Sequence, residues 1–398
     1  MSWRNITLGD AIHVKHGFAF KGQYFSNSGE YMVLTPGNFN EQGGFRIRPG
    51  KDRFYTGDIP EDYVLDEGDL IVAMTEQGPG LLGSSALIPE GGGYLHNQRL
   101  GLVQNLDNDV LDKTFLYYLF NTGAVRGQIS GSASGTKVRH TAPERIYRVK
   151  AYIPTDVTEQ KRIGTILSSY DDLIENNRRR IQLLEQAARL LYKEWFVHLR
   201  FPGHEHVKIK DGVPERWEKR PLSEIADITM GQSPKSIYYN EDGNGLPFHQ
   251  GVTNFGVRFP SHHTYCTVQK RIAELGDILF SVRAPVGRIN ITTGKIVIGR
   301  GLAAIRSKLA QQNFLFYALK SHFFKEDMIG GGAIFAAITK KELHSVELLQ
   351  PSDSVVKMFM EYACFIDSQI ENLHRATGKL IEARNLLLPR LMNGNFAL

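Results

Sequence analysis

Cysteine is almost absent from this chain. Cys266 and Cys364 are the only two, far apart and without metal-ligand spacing. That excludes a disulfide scaffold and a thiolate zinc site, and reads as two free thiols in a reducing compartment. No apolar run approaches the ~20 residues needed to cross a bilayer. The opening MSWRNITLGDAI has no signal-peptide pattern. The expected location is therefore the cytoplasm. A strong excess of one charge is lacking as well: the formal net charge is +5, with 22% charged and 42% hydrophobic residues. Such a balance belongs to an ordinary globular protein; it permits nucleic-acid binding without requiring it. The excess is local: residues 201–351 carry 19 Lys and Arg against 14 Asp and Glu, while the other regions balance to within one.

Catalytic signatures are missing too. There is no Gly-x-x-x-x-Gly-Lys-Ser/Thr loop for a nucleotide phosphate. There is no Asn/Asp-Pro-Pro-aromatic motif to hold a target amino group, and no Asp…Glu-x-Lys nuclease cluster. GGG at 91–93 and 330–332 reads as turns. His204-Glu205-His206 lies in a linker without a third ligand at helical spacing, so no metal site is expected, and no catalytic residue.

What is present is a long helix. Thr158–Leu199 contains no proline and one glycine. Its apolar residues alternate in steps of four and three, the seam of a coiled coil. Leu167, Ile174, Ile181, Ala188 and Trp195 form one core position; Ile163, Tyr170, Asn177, Leu184 and Leu191 form the other. Forty residues at ~1.5 Å each make a rod of roughly 60 Å. A lone rod would leave that seam in water, so a partner helix is required.

A repeat supplies it. WEKRPLSEIADITMGQSP from Trp217 lies over WRNITLGDAIHVKHGFAF from Trp3, and GDILFSV from Gly276 over GDLIVAM from Gly68. Arg300 matches Arg99, FLFYALK from Phe314 matches FLYYLFN from Phe115, and VELLQP matches VKAYIP. The offset falls from 214 at the tryptophans to 197 at the prolines Pro154 and Pro351, always in the same order. Shifted by 196, the seam becomes Phe359, Ala363, Ile366, Ile370, Leu373, Thr377, Leu380, Arg384, Leu387 and Leu391. Connectivity then makes the two helices antiparallel and places the two globular regions at opposite ends of a rod, related by a pseudo-twofold. The competing expectation is that each helix is ordinary core of its own domain. Within the first globular region, strands are predicted at Tyr31–Leu34, Leu70–Met74 and Gly101–Gln104, and a helix at Asp112–Thr122.

This duplicated plan resembles the specificity subunit of type I restriction–modification systems. The resemblance rests on EQKRIGTILSSYDDLIENNRRRIQLLEQAARLLYKEWF, on GDILFSVRAPVGRIN and on LLLPRLMNGNF, and covers nearly the whole length. It implies an α+β fold: two similar mixed α/β target recognition domains separated by two long antiparallel helices forming a coiled coil. The divisions would be 1–157 for the first recognition domain, 158–199 for the first helix, 200–352 for the linker and second recognition domain, and 353–398 for the second helix and tail. Each recognition domain would read one half of a bipartite site in double-stranded DNA. The helices would fix the spacing and dock two modification subunits, which methylate adenine N6, and restriction subunits would join to cleave. S-adenosylmethionine, ATP and Mg2+ are implied for those partners and no cofactor for this chain, which would be a non-catalytic subunit. The family's Glu-Gln pair before the long helix is Glu159-Gln160 in the first copy; the second reads PSDSVVKMF and lacks it.

Base readout needs polar and basic side chains on loops that enter a groove. In the first region the candidates are Arg46 and Arg48 in the cluster with Lys51 and Arg53, Thr75 and Gln77 in TEQGPG, and Ser134, Thr136, Lys137, Arg139 and His140 in GSASGTKVRH. In the second they are Lys235, His249, Gln250, Asn254 and Arg258, then Arg283 and Arg288, and Phe335 in GGGAIF. Two readers on one face of DNA would stand about 34–36 Å apart, one helical turn. For docking, the candidates are Glu159, Gln160, Asp171, Asp172, Arg178 and Arg179. Two rival readings stay open: a standalone metal-dependent nuclease or hydrolase with a helical dimerisation arm, and a solitary DNA-binding regulator.

Overall fold

The run Leu70–Ala73 has four consecutive buried residues, because it is a strand covered on both faces. In the computed structural model, which describes residues 2–78, 80–323 and 337–395, Leu70 and Val72 face one core with helices, while Ile71 and Ala73 face a second with another sheet. The chain divides into two units: residues 1–177 with 375–398, and residues 178–374.

In the first unit, Leu70–Ala73 sits inside an antiparallel sheet with the order His13–His16, Leu100–Gln104, Leu70–Ala73, Ser85–Leu87. A five-stranded sheet covers its far side, in the order Phe25–Ser26, Arg53–Tyr55, Tyr31–Val33, Gly93–Leu95, Val64–Leu65. Its central pair, Tyr31–Val33 with Gly93–Leu95, is parallel. Trp3–Thr7 pairs antiparallel with Lys150–Pro154, Trp3 opposite Pro154. The helices are α1 (Lys113–Phe120), α2 (Gly123–Gly131) and α3 (Pro143–Tyr147). Asp112 caps α1 by accepting from the Phe115 amide at 2.9 Å, which fixes where the helix begins.

Next comes the long helix α4 (Val157–Tyr192), prolonged by a π-helical turn at Lys193–Val197. The second unit, whose first short helix is α5 (Leu222–Ile225), repeats the plan of the first. Its four-stranded sheet runs Ala226–Met230, Leu302–Ser307, Ile278–Ser281, Ile289–Ile291. Its five-stranded sheet runs Tyr239–Asn240, Tyr265–Cys266, Leu246–His249, Ile296–Ile298, Ile272–Ala273, again with a parallel centre. Glu218–Pro221 pairs with Glu347–Gln350, as Trp3–Thr7 does with Lys150–Pro154. Helices α6 (Gln312–Phe323) and α7 (Lys340–His344) precede the last helix, α8 (Asp353–Met392). One close approach marks the duplication at atomic detail. A Cβ on Gly17 would lie 2.1 Å from the Asn97 carbonyl oxygen, and one on Gly231 2.1 Å from that of Gly299, so both positions exclude a side chain.

The antiparallel pairing of α4 and α8 is visible within each unit. In the first, Ile163 and Leu167 share a core with Leu387 and Leu391, and Asp171 pairs with Arg384. In the second, Ile181 meets Ile370 and Leu373, while Tyr192 and Trp195 meet Phe359. Rising numbers on one helix meet falling numbers on the other. The helices also serve their own domains, since Ile163 and Leu167 lie in one core with Phe115 and Leu116 of α1. Thr377 and Arg384, which interrupt the apolar seam in sequence, have physical roles: Thr377 is buried, and Arg384 neutralises Asp171.

Candidate nucleic-acid interface

In each unit the central strand of the four-stranded sheet ends against the same backbone frame. The Met74 amide donates to the Arg99 carbonyl and its carbonyl accepts from the Thr141 amide, both at 2.9 Å. Val282 does the same with the Gly301 carbonyl and the Ile338 amide, again at 2.9 Å. Beyond the frame, Thr75–Glu76 pairs with Arg139–His140, and Arg283 bridges to Ala337. Three chain segments are thus brought together at one sheet end. Arg99 and Arg300 both stand there, exposed.

In the first unit the loops are held from inside. Glu76 is buried and its Oε2 accepts from the amides of Gly80, Leu81 and Leu82 at 3.1, 3.0 and 2.9 Å. Its other oxygen takes Arg139 at 3.1 Å. Arg139 also donates to the Ser130 carbonyl, so its guanidinium ties the two loops together instead of pointing outward. Thr75 is buried, with its hydroxyl 3.0 Å from His140 Nδ1. Ser134 accepts from Arg145 at 3.1 Å. Gly135, at φ +94°, makes the turn that exposes Thr136 and Lys137; Gln77 and His140 are also exposed. Arg46 is exposed and donates to the Gly37 carbonyl at 2.9 Å, whereas Arg48 is paired with buried Asp52 at 3.3 Å and closes its own loop.

In the second unit the same region is a cleft of about 700 Å³, lined by Ser233, Gln250, Thr253, Asn254 and Arg300, with Tyr239 stacked on Phe248 at 4.4 Å in its wall. The Ser233 hydroxyl donates to Gln250 Oε1 at 2.7 Å and accepts from the Arg300 amide at 3.1 Å, which presets the carboxamide. A smaller hollow of about 230 Å³ adjoins it, lined by Ser281, Arg283 and, again, Arg300. Carboxamides, hydroxyls and guanidinium groups on such a surface are the groups that read base edges. Lys235, Arg283 and Arg288 are exposed.

Besides Thr75, two residues of the second unit expected to contact DNA are placed inside instead. Arg258 is 2% exposed, held by Glu185, Asp367 and Tyr317. A guanidinium reaches those partners only from a segment folded down onto the helices. His249 is also 2% exposed, and its Nε2 lies 2.9 Å from His262 Nδ1. Burial first, then the neighbouring His262 and His263, lower its pKa to about 4, so the ring is neutral at physiological pH. Phe335 lies outside the described residues. Sequence reading passed over Arg99, Arg300 and Ser233 as site residues, and its match of Arg300 to Arg99 is off by one: the sheet register makes Gly301 the counterpart of Arg99, so the two arginines share the sheet end but not the position.

The docking candidates divide in the same way. Gln160 is fully buried: it accepts from the Asp112 amide and donates to the Val110 and Pro154 carbonyls, all at 2.9 Å. It therefore locks α4 to its own domain and presents nothing to a partner. In the second copy Gln350 and Gln311 bond each other at 2.9 Å in the corresponding region. Asp171 faces inward, accepting from Tyr118 at 2.7 Å and from Arg384. Glu159 is partly buried; Asp172, Arg178 and Arg179 are exposed.

Comparison with known proteins gives these features a context. The family model described as "Type I restriction modification DNA specificity domain" matches residues 1–186 and 214–355, the two halves of the repeat. A protein described as the MjaX type I restriction enzyme specificity subunit of Methanocaldococcus jannaschii is 34% identical over 313 residues, 75% of this chain and 72% of its own. The HindI specificity subunit of Haemophilus influenzae is 22% identical over 382 residues, 76% of this chain and 81% of its own. The crystal structure of the type I restriction–modification S subunit from M. genitalium shares the fold, with a TM-score of 0.62 at 17% identity, covering 98% of this chain and 96% of that one. Two matched halves, in a chain folded as the same unit twice, establish that this protein belongs to the type I restriction–modification DNA specificity family.

Proposed function

We propose that this chain is the DNA-recognition and scaffolding subunit of a type I restriction–modification complex, with each unit reading one half of a bipartite site in double-stranded DNA. The observation that carries the reading is the duplicated frame at Met74 and Val282: the same backbone is built at one sheet end of each unit, where Arg99 itself closes the frame in the first and Arg300 stands one residue before its counterpart Gly301 in the second, with different side chains around them. Equivalent scaffolds with unlike readers suit two unlike half-sites. The arginines supply phosphate or guanine contacts; Gln77, Thr136, Lys137 and His140 in one unit, and Gln250, Thr253 and Asn254 in the other, supply base discrimination.

Catalysis is assigned to partners. Two modification subunits dock on the long helices and bring S-adenosylmethionine; restriction subunits bring the ATP- and Mg2+-dependent cleavage. Docking is supported by large apolar side chains left in water on the helices: Leu173 (50% exposed), Leu183 (57%), Phe365 (65%) and Leu386 (57%). Asp172 in the first unit and Arg179 in the second add exposed charge to the apolar groups of their own unit, and a protein interface uses both kinds of group. The expected workplace is the cytoplasm, where the DNA is.

The experiment is to map adenine methylation in DNA from cells with and without this chain. A bipartite motif present only with the chain is expected. Unchanged methylation across the deletion, in cells that hold the modification subunit, would remove the proposal.

A further inference from the structure

The segment that lines the cleft with Gln250, Thr253 and Asn254 runs on to Arg258, and Arg258 is where it is anchored. Its Nη1 donates to Asp367 of α8 at 2.8 Å, its Nη2 to the Tyr317 hydroxyl of α6 at 2.8 Å, and its Nε to Glu185 of α4. The guanidinium lies over the Phe316 ring, 4.4 Å from its centre. Glu185 also takes Lys320 at 3.0 Å, so two carboxylates, Glu185 buried and Asp367 partly so, meet two cations. Burial opposes the charge on Arg258, but Asp367, Tyr317 and Glu185 outweigh it and bind the proton more firmly. The next residue, Phe259, packs among Ile181, Ile370 and Leu373. On the other side, Gly256 and Asn290 exchange two hydrogen bonds of 3.1 Å.

A buried ion network of this kind adds little net stability over an apolar plug of the same shape, because desolvation consumes most of the attraction. What it supplies is direction: five fixed donors admit one arrangement of three helices and one loop. In the first unit the corresponding tyrosine–aspartate bond, Tyr118 to Asp171, is completed by Arg384 of α8 itself, and the reading loops are tied to each other through Glu76 and Arg139.

We propose that Arg258 is the positioning residue of the second reader: it holds the Gln250–Asn254 segment at a fixed place against α4, α6 and α8, and so sets base discrimination at one half-site without touching DNA. The inference rests on the DNA reading assigned above.

The test uses the full chain in complex with its modification subunits, and duplex DNA randomised at both half-sites, selected by binding. Arg258→Met is expected to lower discrimination about tenfold or more at one half-site, the one also weakened by Arg300→Ala, and to leave the other unchanged. Arg258→Lys, which keeps the charge, should recover part of the loss. If Arg258→Met does not fold, Asp367→Asn, which keeps the side-chain shape, must show the same one-sided loss. A folded Arg258→Met complex that discriminates normally at both half-sites, or loses both equally, overturns the role. A wild-type complex with no bipartite preference removes the DNA reading itself, and the inference with it.

Discussion

Tyr118 donates its hydroxyl to Asp171 across 2.7 Å, and 199 residues further on Tyr317 makes the same bond to Asp367, at 2.6 Å. One contact, made twice, joins the first helix after the sheet to the long helix that follows each domain. Burial first, and then the facing aspartate, push the Tyr118 hydroxyl far above its ordinary value, so it stays a donor. Replacing Tyr118 by Phe should cost about 1–2 kcal/mol, since Asp171 keeps Arg384. Tyr317→Phe should cost about as much. Denaturant midpoints of the two single variants and the double check this, and the two effects should add.

Gln160→Ala removes three buried hydrogen bonds and leaves two carbonyls and an amide without partners. A loss of about 2–4 kcal/mol is expected, read as a fall in thermal midpoint. The folded fraction should still co-purify with the modification subunit, because the side chain faces inward. Replacing Asp172 and Arg179 together should do the reverse: normal melting and weakened co-purification.

Arg99 and Arg300 should each carry a DNA contact. Alanine at either position is expected to weaken binding and to lower the slope of log affinity against log salt by roughly one if the contact is to phosphate. If the contact is instead to a guanine edge, discrimination at one base pair falls and the slope stays. Salt titrations on the cognate duplex separate the two.

Helix length should set the gap between half-sites. Inserting two heptads in both α4 and α8 preserves the seam, and deleting one turn leaves a single local break in it; either is expected to change the length of the unread gap while leaving both half-site sequences intact. Methylation mapping reads this directly; altered half-sites would show that the helices are not the ruler.

Stability should fall on mild acidification. His96 and His249 are both buried; desolvation leads in each case and lowers their pKa values to about 4. Between about pH 6.5 and 4 the unfolded chain binds a proton at each ring and the folded chain does not, so stability drops as pH falls through that window and levels off below it. Each ring contributes at most about 3 kcal/mol. Glu185 adds a loss at lower pH: burial alone would raise it, but Arg258 and Lys320 hold it below its ordinary 4.5, and the stability it gives goes as the carboxylate is protonated. Denaturant midpoints at several pH values check the window, and His249→Gln should flatten it.

The repeat, the seam and the antiparallel run of α4 and α8 were legible in the sequence, because heptad spacing and duplicated order are one-dimensional properties. So was the strand expected over Leu70–Met74 and observed over Leu70–Ala73, though not its burial on both faces. Individual site residues were less so. Arg258, Arg48, Arg139 and Gln160 look, in sequence, like polar groups free to meet a ligand. Only the tertiary structure decided that each is spent internally, because a side chain's partners are fixed by which segments fold beside it. The same holds for Arg384, which interrupts a seam on paper and neutralises Asp171 in space. Spacing along a chain sets which face a residue shares; what stands opposite that face, and whether water reaches it, is settled by the packing of distant segments.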